Sequence, residues 1–279
     1  LTSFVAWCEE QGLQLEQITA RHIRTYIDVI SARRGATGGP LKSSTVRLYA
    51  LTVKVFLSWC AQEKDFEEAV SPKMLARVQL PNEEQTVIEV FAPAQIEALL
   101  RATEKQPFAI RDKAIVSMLI DTGVRAGEIV GLLLNCVWLD TEDSYIKVTG
   151  KGRKEREIAL GRTARLALRR YITRYRKPKN KADQHVFLSR TGEPITISGL
   201  EQIIEQIAEH ARIKGVRCSP HTFRHTYAVQ YLLNGGDLYK LSRTMGHASV
   251  KITERYLGAV KAKQARQGQS VLDHLRETM

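Results

Sequence analysis

The chain has 279 residues, 43% of them hydrophobic and 26% charged, which is long enough for two domains or one large one, each with its own core. Neither a long uncharged apolar run nor an n-region, h-region and cleavage-site pattern opens it, which argues against a membrane-spanning helix or a secretory signal and makes the cytoplasm the default expectation, with no membrane partner. Formal net charge is +12 and uneven: residues 1–90 carry 10 Lys and Arg against 11 Asp and Glu, whereas residues 147–181 carry 14 against 2, an excess that points to a polyanionic partner such as nucleic acid.

The first element, "SFVAWCEEQGL", has apolar residues at helical spacing, and the pattern is already under way at Leu1, so a short N-terminal segment is expected to be missing. "TARHIRTYIDVISARR" follows as a second helix, with Thr19 placed to cap it and Ile23, Ile27 and Ile30 on one face. After the "GATGGPLKS" loop, "SSTVRLYALTVKVFLSWCAQEK" reads as a third helix, capped by Ser44 and turning Val46, Leu48, Leu51, Val55 and Phe56 inward. Together these predict a small all-helical domain over residues 1–82. The Pro-containing, acidic and weakly periodic stretch that follows predicts a linker at 83–92, and the fresh helix start in "APAQIEALLRATE" opens a second domain over 93–279.

In the second domain "IRDKAIVSMLIDTGV" predicts a buried helix ending at Gly123, and "RAGEIVGLL" a short one after it. "SYIKVTGKGRKEREIAL" alternates like a hairpin, with strands at 145–148 and 157–160 and a turn over 150–156. Helices are predicted over 163–176, 198–212 and 220–234, and a short segment carrying Tyr256 is expected to stop at Gly258. The fold class is therefore mainly α with a small β-hairpin, in two domains. Cys8, Cys60, Cys136 and Cys218 stand more than about fifty residues apart and form no CxxC pair, so neither a disulfide framework nor a zinc site is indicated.

The chemistry concentrates at helix starts. In "SPHTFRHTYAVQYLLNGG" Ser219 suits the N-cap and Pro220 the first helical position, so His221 and Arg224 fall in the first turn, among unpaired backbone N–H groups. His221, Arg224 and His225 share a face, and an arginine there opposes the helix dipole unless an anion offsets it. Capping and surface polarity explain the segment equally well when it stands alone; a metal site on His221 and His225 is weaker, because no HExxH acid accompanies them. Elsewhere "DTGVRAGEIVGL" puts Arg125 at a helix start with Glu128 three residues on, "VTGKGRKER" projects Lys151 from a glycine-flanked turn, and "TMGHASVKITERYLG" supplies His247 and Tyr256.

In order and context these residues resemble the tyrosine recombinase (phage integrase) family, in the manner of its Xer and transposon-integrase members. The family's site is read along the chain as Arg, Lys on a β-hairpin, His-x-x-Arg, His or Trp, and Tyr. The matching positions are Arg125 in "TGVRAGE", Lys151 in "GKGRKER", His221 and Arg224 in "PHTFRHT", His247 in "MGHAS" and Tyr256 in "ERYLG". Where family members usually have "TGLR" and "LLGH", this chain has "TGVR" and "TMGH", and both keep the apolar character. The N-terminal helices are similar to the family's core-binding, SAM-like domain, ahead of a tyrosine recombinase catalytic domain.

The resemblance implies a site-specific recombinase of mobile-element type, acting on double-stranded DNA in the cytoplasm, at the nucleoid, through a 3′-phosphotyrosine at Tyr256. Arg125 and Arg224 would clamp the scissile phosphate, and Lys151 would protonate the leaving oxygen. His221 would assist tyrosine deprotonation or touch phosphate, and His247 would hydrogen-bond a phosphoryl oxygen. Glu128 would orient Arg125 or another site residue; Arg153, Lys154 and Arg156 would touch the DNA backbone; His225 is left to a supporting or structural role. No metal and no cofactor is expected. Four protomers would assemble on paired sites, with Val271, Leu272 and Leu275 of "QSVLDHLRETM" forming the face of a helix that docks into a neighbour, and accessory DNA-bending proteins have room in such a scheme. Three rivals stand beside this reading: a DNA-binding regulator on a decayed integrase fold, a monomeric type IB topoisomerase and a metal-dependent nuclease.

Overall fold

The computed structural model describes residues 1–35, 38–64, 66, 69–82, 88–140, 143–150, 152 and 154–266. Lys151, Arg153 and the "QSVLDHLRETM" stretch lie outside the described residues. The chain divides into two compact units, Leu1–Thr86 and Val87–Met279.

The first unit holds α1 (Thr2–Glu10), α2 (Ala20–Ala32), α3 (Ser43–Cys60) and α4 (Pro72–Ala76). Thr19 caps α2 by accepting a hydrogen bond from the His22 backbone N–H, and Ile23, Tyr26 and Ile30 are buried one turn apart along it. Phe4, Trp7 and Tyr26 form an aromatic cluster in this core, the Phe4 and Tyr26 rings meeting edge to face at 4.9 Å.

Helix α3 departs from the sequence reading. It buries Val46, Ala50, Val53, Leu57 and Cys60, while Leu48, Leu51 and Val55 are exposed. The helix is apolar on both sides, so periodicity alone does not fix its phase; the alternating three- and four-residue spacing of the buried set is what fits the neighbouring helix. Its N-cap is Lys42, and Ser44 stands inside the helix instead of capping it.

The second unit contains α5 (Pro93–Ala102), α6 (Ala109–Thr122), α7 (Ala126–Val130), β1 (Val137–Trp138), β2 (Tyr145–Thr149) and β3 (Glu155–Ala159). It continues with α8 (Arg162–Arg170), α9 (Ile197–His210), α10 (Pro220–Leu233), α11 (Leu238–Met245) and α12 (Val250–Arg266). The strands form one antiparallel sheet in the order β1-β2-β3, with Ile146 paired to Ile158 on the core face. Strand β1 is an addition to the predicted hairpin, too short for an alternation to show.

Helix α6 is the central strut, buried along Ile115, Val116, Met118 and Leu119 and packed by α8 and α10. It ends at Gly123 in the left-handed conformation, where a Cβ would drive into the Tyr227 ring. Helix α12 runs through Gly258 without stopping, because Tyr256 and Val260 on either side of it are buried with Ala228, Val229, Leu241 and Met245. That packing outweighs the ~1 kcal/mol penalty of a mid-helix glycine. No helix among the described residues is long and apolar enough to cross a membrane.

Candidate active site

Of the residues singled out by sequence, Arg125, Arg156, Arg224 and His247 meet at the C-terminal end of α11. A helix end leaves its last carbonyls without intrahelical donors and carries the negative pole of the dipole, so it attracts cations. Here three arginines from three different elements answer it. Arg156 Nε donates to the Thr244 carbonyl at 2.6 Å, an Arg224 terminal nitrogen donates to Met245 O at 2.6 Å, and Arg125 donates to Gly246 O at 3.0 Å. Gly246 takes the left-handed C-cap conformation that turns the chain directly into His247.

Arg125 is the N-cap residue of α7, delivered there by the Gly123 turn. Glu128, one turn on, accepts from the Arg125 backbone N–H at 2.8 Å and from its guanidinium at 2.9 Å. Glu128 also accepts both terminal nitrogens of Arg156, each at 2.8 Å. Burial works against ionisation of Glu128, but the hydrogen bonds and charge of Arg156 and Arg125 outweigh it and hold its pKa at about 2. The carboxylate thus couples α7 to β3.

Arg156 itself corrects an expectation. Its side chain is 11% exposed, and all three of its nitrogens are committed to Glu128 and Thr244, so it is an internal strut and not a free contact for a DNA backbone. Lys154 is exposed. Lys151 and Arg153 lie outside the described residues.

Arg224 is buried and reaches across the site, donating to Gly123 O at 2.5 Å as well as to Met245 O. Burial, then the neighbouring Arg125, lowers its pKa to about 10, which leaves it charged at neutral pH. It also lies 3.1 Å from His247 Nε2. Arg224 can only donate, so that nitrogen is the acceptor, and the Nδ1–H of His247 then donates to Thr253 Oγ1 at 2.8 Å. Burial first, and then the surrounding arginines, push the His247 pKa down to about 4.

Tyr256 is 2% exposed, its ring stacked on His247 at 6.4 Å. Burial raises its pKa from the ordinary 10, against the pull of Arg224, Arg255 and Arg125. Its phenol lies 2.9 Å from Nδ1 of His225. The two histidines of α10 therefore divide differently from the sequence reading: His221 is exposed in the first turn, while His225 faces the tyrosine. Their i, i+4 spacing with Arg224 was legible, but the side of α10 on which α12 packs was not. Arg156 did carry a signal, since a period of two along β3 places it on the face of buried Ile158. No group of three or more His, Cys, Asp or Glu that could hold a metal occurs among the described residues.

Arg125, Arg224, His247, Tyr256 and His225 thus enclose a cationic, largely desolvated corner in which a neutral phenol sits beside permanent positive charge. Such a corner can bind an oxyanion and stabilise charge that builds on it.

A sequence model of the Phage integrase family matches residues 89–263. Tyrosine recombinase XerD of Halalkalibacterium halodurans is 31% identical over 189 residues, which span 67% of this chain and 62% of that protein. Tyrosine recombinase XerD of Chlorobaculum tepidum is 31% identical over 265 residues, 92% of this chain and 82% of the relative. Among solved structures, the XerH site-specific recombinase in its post-cleavage complex with palindromic difH superposes with a TM-score of 0.76 at 19% identity, over 93% of this chain and 74% of that one. The family match falls on the stretch that contains the whole arginine cluster and the tyrosine, and the relatives extend it to most of the chain: the protein belongs to the phage integrase family.

Proposed function

We propose that the chain is a site-specific DNA recombinase that cleaves and rejoins duplex DNA through a 3′-phosphotyrosine at Tyr256, without ATP or a metal ion. The observation that carries this reading is the convergence of Arg125, Arg224, His247 and Tyr256 on the C-terminal end of α11, from elements far apart in sequence. Keeping the energy of the broken phosphodiester in a covalent protein link makes rejoining possible without an external energy source.

Arg125 and Arg224 clamp the scissile phosphate. Each guanidinium spends some of its N–H groups on backbone carbonyls or Glu128 and keeps others for non-bridging oxygens. Arg224 turning toward phosphate releases His247, which then donates to a phosphoryl oxygen once its ring takes up a proton or switches tautomer. His221, exposed at the mouth of the first turn, contacts the phosphate from outside. Lys151 gives the leaving 5′-oxygen its proton. Glu128 fixes the orientation of Arg125. Lys154 and Arg153 touch the backbone beside the cut. The unit Leu1–Thr86 serves as the core-binding domain, and four protomers exchange strands in pairs on two sites, docking through the stretch "QSVLDHLRETM".

A duplex nicked next to the cleavage position tests this, because loss of the short fragment prevents rejoining and traps the covalent complex. Wild type is expected to be trapped and a Tyr256→Phe variant to bind the same duplex without trapping; equal trapping by both refutes the nucleophile assignment.

A further inference from the structure

The scheme above leaves the phenolic proton of Tyr256 without a recipient. That proton cannot drift into bulk water, since Tyr256 is 2% exposed, and the phenol's hydrogen-bond partner among the described residues is the imidazole of His225. We propose that Nδ1 of His225 takes the Tyr256 proton as the phenol oxygen attacks phosphorus, which makes His225 the general base of cleavage and, in reverse, the acid of rejoining. The inference rests on the recombinase reading and adds a residue to it.

The geometry satisfies what a base requires. The nitrogen and oxygen are 2.9 Å apart, within the reach of direct proton transfer, and the rings are tilted at 55° with centroids at 5.6 Å, so contact is through the edge of the imidazole. His225 stands one turn after His221 on α10, and Tyr256 is held by the buried packing of α12, so neither partner has to be recruited from solvent.

The groups that face His225 are Tyr256 and Arg255 from α12, and His221 and Arg224 from its own helix. Burial, then Arg255, His221 and Arg224, hold its pKa at about 4, so at neutral pH the ring is unprotonated. In the tautomer with a bare Nδ1, the Tyr256 O–H donates to it. An imidazole held that low is a weak base until substrate arrives. A phosphate anion beside Arg224 offsets part of the positive charge that, after burial, depresses it, and the imidazole gains basicity when the phosphorus is in place. Base strength is thereby tied to occupancy of the site, and an empty site keeps its nucleophile as a phenol.

The step balances. The Tyr256 O–H bond breaks and its proton passes to Nδ1; the phenol oxygen forms a bond to phosphorus; the phosphorus–O5′ bond breaks, and the leaving oxygen takes the proton that Lys151 supplies. In rejoining, the 5′-hydroxyl attacks phosphorus and gives its proton back to Lys151, the phosphotyrosine bond breaks, and His225 returns its proton to the Tyr256 oxygen.

Single-turnover trapping on the nicked duplex, followed across about pH 5.5 to 9 with the whole chain, tests this. His225→Asn puts an amide where Nδ1 stood, preserving a hydrogen-bond partner but no base, and His225→Gln is the second variant should the first be poorly folded. Both are expected to bind the duplex as wild type does, to cleave about 100-fold more slowly at neutral pH, and to regain rate about tenfold per pH unit as hydroxide takes over; wild type stays flat above about pH 6. Amide variants that cleave at the wild-type rate, or that are slow with an unaltered pH profile, overturn the assignment of His225 alone. Failure of wild type to be trapped at all overturns the recombinase reading and this inference with it.

Discussion

At the scale of single residues, the site is held by charge pairs whose strength comes from burial. Glu128 is the clearest case, ionised between two arginines with a pKa lowered from 4.5 to about 2. A carboxylate depressed on folding stabilises the folded state above its unfolded pKa, and that contribution is lost as pH falls through the folded value, here between about pH 4.5 and 2, for a total of about 3 kcal/mol. Urea unfolding followed against pH is expected to show Glu128→Gln less stable by about that amount at pH 7, with the two proteins converging as pH drops toward 2. Arg224→Gln is expected to lower the trapping rate by about 10²- to 10³-fold, as for loss of one oxyanion donor, with duplex affinity changed far less. The sequence singles these residues out by their order along the chain. Their partners are less legible there: Arg156 looked like a DNA contact because its neighbours in sequence are basic, and only the strand parity it shares with Ile158 argues for its place inside.

At the scale of elements, two glycines show how context decides a residue's meaning. Local sequence marks Gly123 as a helix stop, and the helix ends there in a left-handed C-cap; the same rule marks Gly258, yet Gly258 is helical, because the burial of Tyr256 and Val260 is a tertiary fact. Opposite outcomes follow for alanine. Gly123→Ala forces a left-handed φ and a clash with Tyr227, and is expected to cost at least about 1–2 kcal/mol and to disturb the carbonyl that holds Arg224. Gly258→Ala meets open space and is expected to stabilise by about 0.5–1 kcal/mol, both read as shifts in thermal midpoint. Helix α3 teaches the same lesson for phase. Its existence was plain in the sequence, but with Leu48, Leu51 and Val55 competing against Val46, Val53 and Leu57, only the packed partner selects the inward face. Leu57→Ala is therefore expected to cost about 2–5 kcal/mol and Leu48→Gln about 0.5 kcal/mol or less, by denaturant titration.

At the scale of the whole molecule, the basic excess of residues 147–181 is the feature that favours a polyanionic partner. Binding to duplex DNA is expected to weaken steeply with salt, because each neutralised phosphate releases counterions. Lys154→Gln is expected to shrink the slope of log affinity against log salt by about 1, whereas Arg156→Gln acts on folding stability through its loss from Glu128. The central claim concerns one covalent bond. Digesting the trapped complex and mapping the nucleotide-bearing peptide by mass spectrometry tests it most directly: the expected product is a DNA 3′-phosphate esterified to Tyr256, and attachment to any other residue, or through a 5′-phosphate, would contradict it.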